Sequence, residues 1–228
     1  MSGLVDDLVG MSNEEEIELS MRFFKTGKGE YGEGDKFLGI NAANTKMIAK
    51  KYKEISLKEV EKYLQHKFHE VRVVALLIMI DRFAKTGDKA IYDMYLRNVE
   101  HINNWDLVDI SAHKVVGKWS WDNKNTKDIV KLSETKHLWS ERVSVVSTWY
   151  FIKKGDYDLT LSLCKHFINH KHDLMHKACG WMLREVGKMD EKVLLRFLDE
   201  YHKKLPRTSL RYSIERLSKE QKKHYMAK

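Results

Sequence analysis

Two neighbouring segments of the sequence decide the fold: Leu57-Lys-Glu-Val-Glu-Lys-Tyr-Leu64 and Glu70-Val-Arg-Val-Val-Ala-Leu-Leu-Ile-Met-Ile-Asp-Arg-Phe-Ala-Lys85. The first has apolar residues at helical spacing behind Ser56, a favourable N-cap, and predicts a short amphipathic helix. The second is longer and more apolar, which predicts a more buried helix. Together they form one helical pair, with the amphipathic helix first and the buried helix second.

The same pairing recurs along the chain, and turn signals such as Thr86-Gly-Asp88 separate the pairs. The further pairs are predicted over residues 89–99 and 105–116, 127–133 and 140–153, 159–169 and 174–188, and 191–203 and 208–217. One two-helix unit cannot bury its apolar face alone, so several units must stack. The sequence therefore predicts an all-α fold over a single domain, residues 1–228, built as an α-solenoid of about five to six stacked repeats with a concave basic groove.

The net charge of +8, from 41 Lys and Arg against 33 Asp and Glu, is spread along the chain. This excess favours a polyanionic partner such as nucleic acid or an anionic membrane surface. No apolar run approaches ~18 residues and the N-terminus lacks a signal-peptide pattern, so we expect no membrane span. Two cysteines in apolar helical contexts, Cys164 and Cys179, are expected in the core of a protein from a reducing cytoplasm.

The N-terminal part departs from the paired pattern. Residues 14–25 predict a helix that begins at Ser12 or Asn13, with acidic residues in its first turn. A glycine-rich loop follows over residues 26–39. The loop lacks the GK[ST] ending and the preceding strand of a phosphate-binding P-loop. We expect either a structural turn or a loop that faces DNA.

A basic residue recurs early in the second helix of successive pairs, with spacings of 70, 35 and 34 residues. The positions are Arg72, Arg142, Lys177 and Arg211. Parallel stacking would align these cations along one surface, either a shared concave groove or an outer face. The step that is missing from the series falls on Leu107, within Asn103-Asn-Trp-Asp-Leu-Val-Asp109.

This interruption places a tryptophan and two carboxylates where neighbouring repeats present cations. On a helix, Trp105 and Asp109 are i,i+4 neighbours and share one face. Asn103 or Asn104 is the expected N-cap, so Asp106 has a structural explanation as a first-turn carboxylate favoured by the helix dipole. Asp109 lies deeper in the helix and has no such explanation.

Other candidates leave alternatives open. Arg142 in Trp139-Ser-Glu-Arg142 is either half of a structural ion pair or a phosphate clamp. Gly180 in a helix interior indicates close approach of a backbone or a ligand, and Trp181 beside it is either core or part of a site. The histidine-rich segment His166 to His176 lacks the glutamate of a zinc motif, so we expect surface histidines and caps, and no metal or cofactor.

The chain resembles the AlkD-like DNA alkylation repair family, whose members are HEAT-like repeat DNA glycosylases. The matching segments are Phe37-Leu-Gly-Ile40, Asn104-Trp-Asp-Leu-Val-Asp109, Trp139-Ser-Glu-Arg142 and Gly180-Trp-Met-Leu-Arg-Glu185. The resemblance covers residues 20–217. It departs from the best-known members in a longer glycine-rich insertion and a shortened N-terminal helix, with Phe23 or Phe24 where we expect a tyrosine.

The resemblance implies a role for each matching residue. Asp109 matches the catalytic aspartate, Trp105 and Trp181 match tryptophans that pack against the backbone of the damaged nucleotide, and Arg142 matches a phosphate-binding arginine. It implies a cytoplasmic, nucleoid-associated monomer that excises N3- and N7-alkylated purines from double-stranded DNA without flipping the base. The alternatives are a catalytically silent module that binds distorted or branched DNA, and a solenoid whose basic face meets an acidic protein.

Overall fold

The computed structural model describes residues 3–227. Within this range every regular element is helical, and the only β-type pairing is an isolated parallel bridge between Lys36 and Phe68. The all-α fold predicted from the sequence is confirmed. The chain divides into two compact units, with the boundary between Ser111 and Ala112. Neither unit has a helix that combines the length and the apolar character needed to cross a membrane, within the part of the chain described.

The first unit contains seven helices among its described residues. They are α1 (Leu4–Val9), α2 (Glu14–Phe23), α3 (Ala42–Lys51), α4 (Leu57–Leu64), α5 (His69–Thr86), α6 (Lys89–Arg97) and α7 (Trp105–Ala112), whose last residue lies past the boundary. A 3-10 turn, Val99–His101, precedes α7.

Helix α5 forms the centre of the first unit. It packs against α3 and α4, and its buried residues include Val71, Val74, Leu76 and Met79. The predicted caps are confirmed on the flanking helices: Ser56 and Glu59 form a capping box at the start of α4, and Asn13 caps α2. Helix α2 differs from the others because none of its residues is buried.

The second unit begins with a π-helical turn, His113–Gly117. Its α-helices are α8 (Lys118–Asp122), α9 (Lys127–Ser133), α10 (Leu138–Ser147), α11 (Trp149–Ile152), α12 (Asp158–His166), α13 (Asp173–Met189), α14 (Glu191–Tyr201), α15 (Arg207–Ser213) and α16 (Lys219–Met226). A 3-10 turn, Phe167–Asn169, follows α12.

Stacking of second helices is clearest in this unit, where α13 packs against both α10 and α15. Gly180 explains the close approach of α15: a β-carbon at this position would lie 2.6 Å from the Ser209 carbonyl oxygen and 2.6 Å from Tyr212 Cβ. The prediction that Gly180 permits the approach of another backbone is confirmed.

The predicted helix over residues 140–153 is corrected to two helices, α10 and α11, which meet at Thr148. The physical reason for the break is that two hydroxyl groups hydrogen-bond back to the helix. Ser147 Oγ donates to Val143 O at 2.6 Å, and Thr148 Oγ1 donates to Val145 O at 2.7 Å. Such bonds compete with the regular ladder and bend helices. The sequence patterns also missed α1, α3, α8 and α16 entirely.

Candidate functional site

Trp105 opens α7 and lies half-buried inside an aromatic cluster of the first unit. Its ring centroid is 5.6 Å from that of Phe23 and 5.4 Å from that of Phe24. Phe24 in turn stacks on Phe37 at 5.1 Å and lies 5.0 Å from the ring of His69. Both phenylalanines therefore contact Trp105, at the place where the resemblance led us to expect a tyrosine.

Asp106 does more than stabilise the start of α7. One carboxylate oxygen, Oδ1, accepts a hydrogen bond from the Leu107 amide at 2.8 Å. The other, Oδ2, lies 2.8 Å from Nε2 of His69, at the start of α5. The interpretation of Asp106 as a first-turn carboxylate is therefore incomplete, because no local sequence pattern indicates a contact with a histidine 37 residues away.

His69 links Asp106 to a second carboxylate. Its Nδ1 lies 3.2 Å from Oδ2 of Asp35, and the guanidinium of Arg72 donates to Oδ1 of the same aspartate. Burial by itself would lower the pKa of His69, but the charges and hydrogen bonds of Asp106 and Asp35 raise it to about 9. Burial likewise opposes ionisation of Asp35, but His69 and Arg72 hold the pKa of this carboxyl below its usual value.

The glycine-rich loop contains Asp35, which contacts His69 and Arg72, and the loop is itself bound by Glu70. The buried Glu70 carboxylate accepts hydrogen bonds from three consecutive amides, those of Leu38 at 2.9 Å, Gly39 at 2.9 Å and Ile40 at 3.3 Å. The His69 amide also donates to Lys36 O at 2.8 Å. The loop thus has a structural role, which was one of the two expectations for it.

Asp109 lies on the same helix as Trp105 and is half-buried. It is close enough to Tyr95 for its charge to contribute, after burial, to raising the pKa of that phenol. Tyr95 is fully buried and its hydroxyl lies 2.9 Å from Ser111 Oγ. A carboxylate in this half-buried position is less screened than one on an open surface, so it interacts strongly with a nearby positive charge.

A cavity of about 330 Å³ lies beside this arrangement in the first unit. His69 and Asp106 are among its polar lining residues, and Phe24, Phe37 and Leu77 are among its apolar ones. Asp106 has the greatest access to solvent of the residues in this charge network. Its side chain is 23% exposed, whereas the side chains of His69, Asp35 and Arg72 are 5% exposed or less.

In the second unit, Trp181 belongs to a row of rings. Its centroid is 5.1 Å from that of Trp149, which lies 4.5 Å from His113 and has Lys153 Nζ 4.0 Å above its ring. The indole nitrogen of Trp181 donates to Glu185 Oε1 at 3.2 Å. Trp149 is partly exposed, and the Lys153 ammonium group forms a cation–π contact with its ring.

The four recurring cations have different environments. Arg72 and Arg142 are each only 4% exposed, and Arg142 Nη1 donates to Leu174 O at 2.5 Å. By contrast, Lys177 is half-exposed and forms an ion pair of 3.0 Å with Asp173, and Arg211 is exposed. The recurring positions therefore hold cations in two kinds of environment: Arg72 and Arg142 are buried and donate to oxygens inside the protein, whereas Lys177 and Arg211 retain solvent access.

The histidine-rich segment is held by hydrogen bonds within the segment and by one contact with Glu141 on α10. His172 Nδ1 accepts from the Leu174 amide at 3.1 Å and caps α13. His170 Nε2 lies 3.0 Å from Glu141 Oε2, and His176 Nε2 lies 2.6 Å from His170 O. Throughout the described residues, no group of three or more His, Cys, Asp or Glu side chains is arranged to hold a metal ion.

Comparison with protein-family models identifies one match, to the DNA alkylation repair enzyme family, over residues 4–217. The chain belongs to this family. A structure described as a predicted DNA alkylation repair enzyme from Enterococcus faecalis has a similar fold, with a TM-score of 0.71 and 20% sequence identity. The similarity covers 91% of this chain and 97% of that one. No curated protein matches the chain.

Family membership supports a role in DNA repair, with DNA as substrate or partner. The residues that carry the resemblance fall in both units. Trp105 and Asp109 lie on α7 in the first unit, and Arg142 and Trp181 lie on α10 and α13 in the second. The buried Asp35, His69 and Glu70 were missed, because no local pattern marks contacts between residues more than 30 positions apart.

Proposed function

We propose that the chain is a monofunctional DNA glycosylase that hydrolyses the N-glycosidic bond of positively charged N3- and N7-alkylated purines, without flipping the base. The observation that carries the proposal is the placement of Trp105 and Asp109 on one face of α7, both half-buried, in a chain of the DNA alkylation repair enzyme family. The ring of Trp105 packs against those of Phe23 and Phe24, and these contacts hold it in place.

The chemistry suits a carboxylate. An alkylated purine is already cationic, so it departs with the bonding electron pair as a neutral base and needs no general acid. Positive charge then develops on the sugar, which becomes oxocarbenium-like. The Asp109 carboxylate stabilises this charge, orients the water that adds to the anomeric carbon and accepts the proton that this water loses. An indole face contributes a further attraction to the cation, of about 1–2 kcal/mol where water is excluded.

DNA binding is assigned to exposed cations. Lys177 and Arg211 retain solvent access in the second unit and are proposed to contact phosphates. Arg72 and Arg142 are proposed to act indirectly in DNA binding, because their guanidinium groups already bond oxygens inside the protein. Trp181, whose indole contacts Glu185 and Trp149, is proposed to pack against the backbone of the damaged nucleotide, as the resemblance implies.

The deciding experiment measures release of N7-methylguanine from methylated duplex DNA under single-turnover conditions. Wild type should release the base, and Asp109→Asn should do so at least about 10²-fold more slowly. Asp93→Asn is the matched control, since it removes an aspartate from an outer helix where its partner is Lys89, and it should retain the full rate. Equal rates for wild type and Asp109→Asn would remove Asp109 from the mechanism.

The same assay, combined with DNA-binding measurements, tests the alternative functions. If wild type binds duplex or branched DNA but releases no base, the chain is a non-catalytic module that recognises distorted DNA. If it binds neither form of DNA, the third hypothesis is favoured, in which the basic face of a solenoid binds an acidic protein.

A further inference from the structure

We propose that His69 is a positioning residue, which holds the first turn of α7 and so the orientation of Trp105 and Asp109. The proposal rests on the function proposed above. His69 is 3% exposed and contacts α7 through Asp106, the residue directly after Trp105. It lies outside the four sequence segments that carry the resemblance.

Geometry fixes the protonation state that this role requires. Nε2 of His69 lies 2.8 Å from an oxygen of Asp106, and Nδ1 lies 3.2 Å from an oxygen of Asp35. A neutral imidazole has one N–H group, so one ring nitrogen would present its lone pair to a carboxylate. Only the doubly protonated ring donates to both aspartates, and it then bridges the glycine-rich loop and α7.

The charges around the ring balance in that state. Asp35 and Asp106 contribute two negative charges, and His69 and Arg72 contribute two positive charges, with Arg72 donating to Asp35 from the next turn of α5. Glu70, another anion near the ring, accepts hydrogen bonds from three loop amides. Lys46, which also lines the cavity, is an exposed residue. Loss of the His69 proton would leave an uncompensated buried negative charge.

The link from His69 to the reacting groups is short. Asp106 precedes Asp109 by three residues, so the two side chains lie on adjacent positions of one helical turn. Asp106 also accepts from the Leu107 amide, which couples the carboxylate directly to the α7 backbone. Releasing Asp106 from His69 would let this turn shift, and small displacements of catalytic groups lower rates strongly.

The test compares His69→Gln, Asp106→Asn, the double variant and Asp35→Asn with wild type. Single-turnover base release and duplex DNA affinity are measured for each variant. Amide hydrogen exchange is followed in peptides covering residues 103–112 and, as an internal control, α3. Glutamine can still hydrogen-bond one aspartate but carries no charge, which keeps the volume change small. Asp35→Asn alters the opposite side of the ring and leaves the bond to Asp106 in place.

We expect His69→Gln and Asp106→Asn each to slow base release by about tenfold or more, with DNA affinity changed by less than about threefold. The double variant should be no slower than the slower single variant, because both remove the same interaction. Exchange should accelerate over residues 103–112 and stay unchanged in α3, and Asp35→Asn should keep a rate within about threefold of wild type. Active wild type with undiminished release in both single variants would overturn the proposal.

Inactive wild type would instead refute the proposed function, and hydrogen exchange would then decide the positioning role alone. Faster exchange confined to residues 103–112 in folded His69→Gln supports it, and exchange identical to that of wild type overturns it. If His69→Gln fails to fold, Asp106→Asn carries the same comparison, since it keeps every buried group of the loop and α5.

Discussion

The carboxylate of Glu70 lies 2.9 Å from the amide nitrogen of Leu38, and the same side chain accepts from the two amides that follow. A single buried side chain on α5 thus fixes the C-terminal end of the glycine-rich loop. The loop carries Asp35 and Phe37 towards His69, so this anchor also determines the aromatic cluster beside Trp105.

Substitution Glu70→Gln should lower the free energy of unfolding by about 2–3 kcal/mol. Glutamine replaces one acceptor oxygen with an NH₂ group that faces the loop amides, and hydrogen bonds to a charged acceptor are stronger than neutral ones. Urea denaturation measures the loss. Glu54→Gln, at an exposed position, is the control and should change stability by less than about 0.5 kcal/mol. Equal stability of the two variants would show that the anchor contributes little.

Gly180→Ala should destabilise the second unit by about 1–3 kcal/mol, because a β-carbon would meet the Ser209 carbonyl oxygen and Tyr212 Cβ at 2.6 Å. Gly10→Ala is a suitable comparison. Gly10 has φ −63° and its β-carbon would meet only ordinary contacts, at 3.4 Å and beyond, so alanine there should be neutral or slightly stabilising. Thermal unfolding of both variants tests the contrast, and a neutral Gly180→Ala would mean that α13 and α15 separate easily.

These anchors mark the limit of what the sequence could predict. Periodicity identified α4 and α9 with their observed bounds, and the glycine before Trp181 indicated a close backbone approach. Such features depend on residues within one or two turns. The buried network depends on Asp35, His69 and Asp106, which come from three distant parts of the chain, and each residue by itself resembles an ordinary polar position.

Local sequence patterns also could not predict which of the four recurring cations are buried. Their spacing located a structurally equivalent position in successive helices, but spacing alone does not distinguish a buried guanidinium from an exposed one. Arg142 is buried and donates to Leu174 O on α13, whereas Arg211 lies on α15 and remains exposed.

Stability should fall as pH rises from about 6.5 to about 9. The folded-state pKa of His69, about 9, is above the ordinary value of about 6.5, so the folded state retains a proton that the unfolded chain loses. The stabilisation is complete below pH ~6.5, decreases through this window and is lost above pH ~9, with a total of about 3 kcal/mol. Urea denaturation at a series of pH values measures the slope. In His69→Gln this component of the slope should vanish, and an unchanged slope would contradict the assignment.

Lys177→Ala and Arg211→Ala should each weaken duplex DNA binding to a similar degree for all sequences and reduce the salt slope of log K by about 1. Both residues retain solvent access. Arg142→Ala should instead lower the unfolding free energy, because it removes a buried guanidinium that donates to Leu174 O. Binding titrations at several salt concentrations, paired with urea denaturation, separate the two effects. Unaltered salt slopes in the first two variants would exclude them as phosphate contacts.

Phe24→Ala should cost about 2–4 kcal/mol of stability, whereas Phe23→Ala should cost less than about 1 kcal/mol. Phe24 is half-buried and contacts the rings of Phe37, His69 and Trp105, so its removal leaves a gap inside the cluster. Phe23 is 63% exposed, and alanine there removes little buried surface. The ring of Phe23 lies against Trp105, however, so Phe23→Ala should affect base release more than stability. Denaturation and single-turnover release measured together test this division, and a stability loss as large for Phe23→Ala as for Phe24→Ala would contradict it.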